Sequence, residues 1–145
     1  MARKKDKKSG KGSAGQNRKN SDDFLSKFQN KNDVVNCESG LMYRKVDSAE
    51  GANIPVTFND SVEVHQRITL TDGAIIADTY QSNRPEKFTV EEAIEGLTEG
   101  LQYMNVGERF EFVIPPDLAW GKKGNGSKIG ANAVLIIDIR LISVF

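Results

Sequence analysis

A single histidine, a single cysteine and a single tryptophan leave this 145-residue chain short of the side chains on which most enzyme chemistry rests. One histidine, His65, excludes a multi-histidine metal site and leaves a histidine-centred triad without support. Lying in a period-two stretch, it reads as a strand-edge or hydrogen-bonded structural residue. One cysteine, Cys37, excludes an internal disulfide and fits a reducing compartment. Its only charged neighbour is Glu38, which does nothing to activate a thiol, so a nucleophilic role is not expected. No apolar run approaches the roughly 18 residues of a membrane-spanning helix. The basic start lacks the apolar core of a secretory signal, and a cytoplasmic placement is expected. Residues 121–128 are rich in glycine and lysine but fail as a phosphate-binding loop, because Ser127 precedes Lys128 instead of following it. A flexible loop between two strands is expected there.

Net charge is zero, yet the charges are unevenly divided. The first 20 residues hold eight basic side chains and one acid. Of the 20 basic and 20 acidic groups, the other 125 residues therefore keep 12 and 19, so a tail of +7 precedes a body of −7. Residues 1–20 contain no large apolar side chain apart from Met1 and are expected to be disordered. They suit a non-specific anionic partner such as ribosomal or other nucleic acid, held through counterion release. Without interleaved aromatics, they give no support for sequence-specific recognition.

Ser21, Asp22 and Asp23 read as a helix N-cap with acidic first-turn residues. They lead into Phe24, Leu25 and Phe28, and the helix is expected to end near 30–32. Leu41 to Val46 reads as a first strand. Val62, Val64, Ile68 and Leu70 alternate with polar residues, the pattern of a half-buried strand. Thr71, Asp72 and Gly73 form a tight turn, and residues 74–77 return as a strand. Val90, Ala93, Ile94, Leu97, Leu101 and Met104 follow at helical spacing, interrupted by Gly96 and Gly100, which let the helix approach a sheet closely. Phe110, Phe112 and Ile114 form another strand that Pro115 and Pro116 stop. Residues 134–142 are nearly all apolar and read as a central strand. Strands gathered around one short helix argue for the α+β class.

Taken in order, these segments carry a resemblance. Asp72-Gly73, Phe88, Ile94-Glu95-Gly96, Glu99-Gly100-Leu101 and Val106-Gly107-Glu108 resemble FKBP-type peptidyl-prolyl isomerase domains. So do the run Ile114-Pro115-Pro116-Asp117-Leu118-Ala119-Trp120-Gly121 and the closing Leu135-Ile136-x-Asp138-Ile139. The resemblance spans about residues 38–145. With the helix that leads in, it is similar to the branch of bacterial macrophage-infectivity potentiators, whose helical dimerisation arm is here too short, so a monomer is expected.

The resemblance implies a strongly twisted antiparallel sheet, a half-barrel, wrapped around one short helix. The implied division is a disordered basic tail over 1–20, a short helix and linker over 21–36, and an FKBP-like domain over 37–145. It also implies an apolar groove that binds X-Pro segments and isomerises them. Phe88, Ile94, Leu97, Trp120, Ile76 and Ile137 would act on the bond, and Gln66, Ala77, Asp78, Ala93 and Ile129 would hold the substrate. Typical active members have Tyr, Phe, Asp, Trp, Tyr and Phe where this chain has Gln66, Ile76, Ala77, Leu97, Trp120 and Ile137. Ala77 stands in register with the usual acid, and Asp78 replaces it if the strand carries a bulge. Each aromatic lost forfeits roughly 1–3 kcal/mol of burial, at about 25 cal/mol per Å². Weakened catalysis and weak macrolide binding are therefore expected. No cofactor or metal is required. The alternatives are an inactive peptide-binding chaperone of the same fold, or an interaction protein acting through its basic tail.

Overall fold

The computed structural model describes residues 14–50 and 54–145. Most of the expected disordered tail, residues 1–13, lies outside the described residues. Its last seven residues do not follow the expectation: α1 runs Ala14–Phe28, so Ser21 sits in mid-helix and caps nothing. The reason is docking. Phe24, Leu25 and Phe28 pack against Met42, Val113 and Ile136 of the sheet and against Val134 just before the last strand, and a helix anchored at one end carries turns that composition alone would leave unfolded. Ser21, only 3% exposed, faces the domain.

The strands are β1 (Val35–Asn36), β2 (Met42–Asp47), β3 (Ser61–Thr69), β4 (Ile75–Asp78), β5 (Glu86–Thr89), β6 (Arg109–Ile114) and β7 (Leu135–Val144). They form one antiparallel sheet in the order β1-β2-β6-β7-β3-β4, open at both ends. The apolar β7 lies between β6 and β3, as its near-continuous hydrophobic run requires. One edge of β3 is shared: Ser61 to Val64 pair with β5, and Arg67 to Thr69 pair with β4. The short helix α2 (Thr79–Ser82) fills the step between those two partners.

Strand alternation gives the sheet two different faces. Phe110, Phe112, Ile114, Leu135, Ile137, Ile139, Leu141, Val62 and Val64 are all buried in one cluster on the inner face, against the helical segment. Met42, Val113 and Ile136 point the other way and receive α1. Farther along that outer face the sheet is polar. Arg109 grips Asp138 with two bonds of 2.7 and 2.6 Å, Tyr80 donates to the same carboxylate, and Arg140 reaches Asp47.

The expected helix over residues 90–104 is divided. A 3-10 turn, Val90–Glu92, is followed by extended residues at Ala93 and Ile94, and only then by α3 (Glu95–Leu101). The break is held by Thr98, whose hydroxyl donates to the carbonyls of Val90 (2.7 Å) and Ala93 (3.3 Å). It allows Val90 to be fully buried while Ile94 stays at the surface of the core. Gly96 and Gly100 lie directly on the sheet. A Cβ at Gly96 would come within 2.5 Å of Ile114, and one at Gly100 within 2.5 Å of Phe112.

Gly100→Ala is therefore expected to destabilise the fold by about 1–3 kcal/mol through overpacking, despite a gain of roughly 1 kcal/mol in helix propensity. Urea unfolding measures this, and an unchanged or raised midpoint contradicts the packing described.

Candidate functional site

With the exception of Asp78, the sequence-predicted site residues lie on the inner face of the sheet or on the segments packed against it. Leu97 (5% exposed), Ile129 (4%) and Ile137 (1%) lie at the bottom, too deep to present more than a floor. Ile76, Phe88, Ala93, Ile94 and Trp120 are only partly buried and pack onto the same cluster, where the walls of the expected groove would stand. Each comes from a separate element: Ile76 from β4, Phe88 from β5, Ala93 and Ile94 from the break before α3, and Trp120 from the turns after β6.

The bulge that the sequence left conditional is present. Ile68 pairs with Ala77 and Thr69 with Ile75, so Ile76 is the extra residue on β4. The bulge turns Ile76 onto the core and leaves Ala77 partly buried opposite Ile68. It does not deliver Asp78 to the groove. Asp78 lies opposite Arg67, with its Oδ2 3.8 Å from the guanidinium, and its Oδ1 accepts the N–H of Gln81 as the N-cap of α2. The expected substrate-binding role of Asp78 is thus displaced by a structural one, since α2 needs a cap at that position.

Gln66 is on the inner face and buried. Its backbone N–H donates to Thr79 Oγ1 at 2.7 Å, and its side-chain Nε2 donates to Glu86 Oε1 at 2.8 Å. Glu86 is a groove-side residue that the sequence reasoning passed over. The signal was present: it stands two residues before Phe88 on a strand, and residues two apart share a face.

Residues 121–128, expected to be flexible, form turns tied by backbone bonds. Asn125 and Ile129 exchange N–H···O bonds of 2.8 and 3.3 Å, and Gly124 N–H donates to Trp120 O. From there the ties run to α1. Asn132 N–H donates to Gly121 O at 2.8 Å, and Asn132 O accepts from the Ser21 hydroxyl at 2.5 Å. Asn17 Nδ2 donates to Ala131 O at 3.0 Å. The helix on the outer face therefore braces the segment that presents Trp120 and Ile129 on the inner one.

Perturbed titrations lie away from the groove and have local structural causes. Burial, followed by the Asp138 charge, pushes the Tyr80 phenol up to about 12. Burial also pushes the Cys37 thiol up, which leaves it a poor nucleophile. His65 stacks on Tyr80 and its Nδ1 lies 3.0 Å from Thr79 Oγ1, the hydrogen-bonded structural position expected of it. Among the described residues no group of three or more His, Cys, Asp or Glu side chains could hold a metal ion. Apart from Glu86, the groove offers contact and exclusion of water rather than proton transfer.

The open antiparallel sheet thus curls on the short α3, with Phe88 and Trp120 half-buried beside Leu97, Ile129 and Ile137. Comparison with known proteins makes the class specific. A family profile described as FKBP-type peptidyl-prolyl cis-trans isomerase matches residues 52–142. A second, the domain amino terminal to that isomerase, matches residues 1–44. The chain belongs to the FKBP-type peptidyl-prolyl isomerase family. It is 39% identical over 129 residues to the FKBP-type isomerase FkpA of Aeromonas hydrophila, covering 89% of this chain and 47% of that one. Identity is likewise 39% over 131 residues to the outer membrane protein MIP of Legionella longbeachae, with 90% and 55% covered. The crystal structure of FkpA from Escherichia coli superposes with a TM-score of 0.83 at 33% identity, over 90% of this chain and 60% of that one. A prolyl isomerase from Pseudomonas syringae gives 0.82 at 28%, over 92% and 96%. The chain spans about half the length of the first curated relatives it matches.

Ser21→Ala removes the tie to Asn132 O, one of the two from α1, while leaving the apolar face of α1 intact. It is expected to cost about 1 kcal/mol and to shift the emission of Trp120, the only tryptophan. Denaturation and fluorescence spectra together check this; loss of stability with an unaltered Trp120 spectrum contradicts the coupling.

Proposed function

We propose that this chain catalyses cis/trans isomerisation of X-Pro bonds in polypeptide substrates held in the inner-face groove. The observation that carries the reading is the combination of a buried apolar floor at Leu97, Ile129 and Ile137 with half-exposed walls at Ile76, Phe88, Ile94 and Trp120. Rotation about the amide breaks its resonance against a barrier of about 18–20 kcal/mol. The twisted amide is less dipolar than the planar one, so a site that excludes water favours it without any acid, base or cofactor. The rim residues hold the flanking chain in a turn, and binding energy gained only in the twisted geometry becomes rate.

A second reading, a peptide-holding chaperone with little catalysis, is supported by Gln66, Ala77 and Leu97 standing where active relatives carry larger or acidic side chains. The same substitutions support weak macrolide binding. The coverage of Phe24, Leu25 and Phe28 by this chain's own sheet supports a monomer. The eight basic residues among the first 20 support a salt-sensitive hold on anionic surfaces. The single cysteine supports a cytoplasmic location, which fractionation tests.

A protease-coupled assay on a proline peptide separates the two activities. Micromolar protein accelerates isomerisation in the first reading, and Leu97→Ala, folded by circular dichroism, lowers kcat/KM by about tenfold or more. No acceleration, with unfolded chains still held, selects the chaperone.

A further inference from the structure

One end of the groove is polar. Glu86 pairs with Val64 and Phe88 with Val62 across β5 and β3, so Glu86 shares the inner face with Val62, Val64 and Gln66. Gln66 is 5% exposed, and its Oε1 is buried without a hydrogen-bond partner. A buried carbonyl left without a donor costs about 1–3 kcal/mol, which marks a place where a donor is missing. Beside it, Glu86 spends one carboxylate oxygen on Gln66 Nε2 and has no ion pair among the described residues. The neighbouring Lys87 does not neutralise it, because that side chain faces away and lies over the Phe145 ring at 5.0 Å.

Two acceptors therefore belong to one hydrogen-bonded pair at this end of the groove, a buried one lacking a donor and an exposed one lacking a counter-charge. A neutral apolar substrate satisfies neither. An ammonium brings three donors and a guanidinium five, enough to engage both oxygens at once. Oε1 itself is enclosed. The terminal torsion of a glutamine is soft, and a turn of the amide that exchanges the Nε2–Glu86 bond for donors from the cation brings Oε1 to a cation bound on Glu86. The body beyond residue 20 carries seven more acids than bases, which favours the approach of a basic segment to the domain as a whole.

We infer that Gln66 and Glu86 form a subsite for a lysine or arginine next to the substrate proline, so that basic X-Pro segments are preferred over apolar ones. This inference rests on the peptide-groove reading above. It predicts a selectivity that the apolar walls alone would not produce.

Peptides differing only in lysine against norleucine beside the proline isolate the charge at nearly constant apolar length. The wild-type chain is expected to favour lysine by about threefold to fivefold in kcat/KM, and less in high salt. Glu86→Gln and Gln66→Leu are each expected to bring the ratio towards one, while Glu86→Asp retains part of it. A wild-type ratio at or below one, or a ratio that Glu86→Gln leaves unchanged, overturns the subsite. If neither peptide is accelerated, the isomerase reading fails by itself. The dissociation constants of the same two peptides, followed by Trp120 emission, then decide the subsite by the same ratio.

Discussion

The short helix α3 reaches the inner face because Gly96 and Gly100 put no side chain between its backbone and Ile114 and Phe112. That approach sets the depth of everything above it. With the helix seated at this level, Leu97 is pressed into the cluster beside Ile129 and Ile137 and becomes a floor. The extended backbone at Ala93 and Ile94, just before α3, leaves both residues only partly buried on the cluster. A methyl group at either glycine would raise the helix and separate walls from floor. The groove is thus a consequence of close backbone packing as much as of the residues that line it.

The two faces of the sheet do different work. The outer face is locked by charge pairs around Asp138 and by α1 docked on Met42, Val113 and Ile136. These surface and half-buried ion pairs add little individually, and the bidentate Arg109–Asp138 pair is the best formed of them. What connects the faces is the line from Ser21 through Asn132 and Gly121 to Trp120. In this chain the N-terminal helix is part of the support for the groove and not only a leader to it.

Much of this was readable in the residues. Alternation at Val62–Ile68 and Phe110–Ile114, the stop at Pro115 and Pro116, and the near-continuous run of the last strand all report burial that strand geometry imposes locally. Leu97 and Phe88 were legible, through the family order of motifs, as residues that meet in the inner-face cluster. What stayed hidden depends on contacts distant in sequence. The start of α1 rests on docking to a strand some hundred residues away, which composition cannot show. The break at Ala93 and Ile94 is invisible to a helical period, since apolar spacing persists through it. The fate of Asp78 turned on α2 needing a cap. Glu86 was missed because a charged residue on a groove face runs against the expectation of an apolar lining.

In the proposed function, extended proline-containing peptides bind on the inner face, between α3 and the strands β3, β4, β5 and β7. Titrating a proline peptide into isotopically labelled protein and following backbone and indole amide shifts tests it most directly. The largest shifts are expected at Ile76, Phe88, Ile94, Leu97 and the Trp120 indole, while the outer-face residues around Asp138 and the docked α1 change little. Shifts centred on α1 or the outer face, with the Trp120 indole unmoved at saturation, would contradict it.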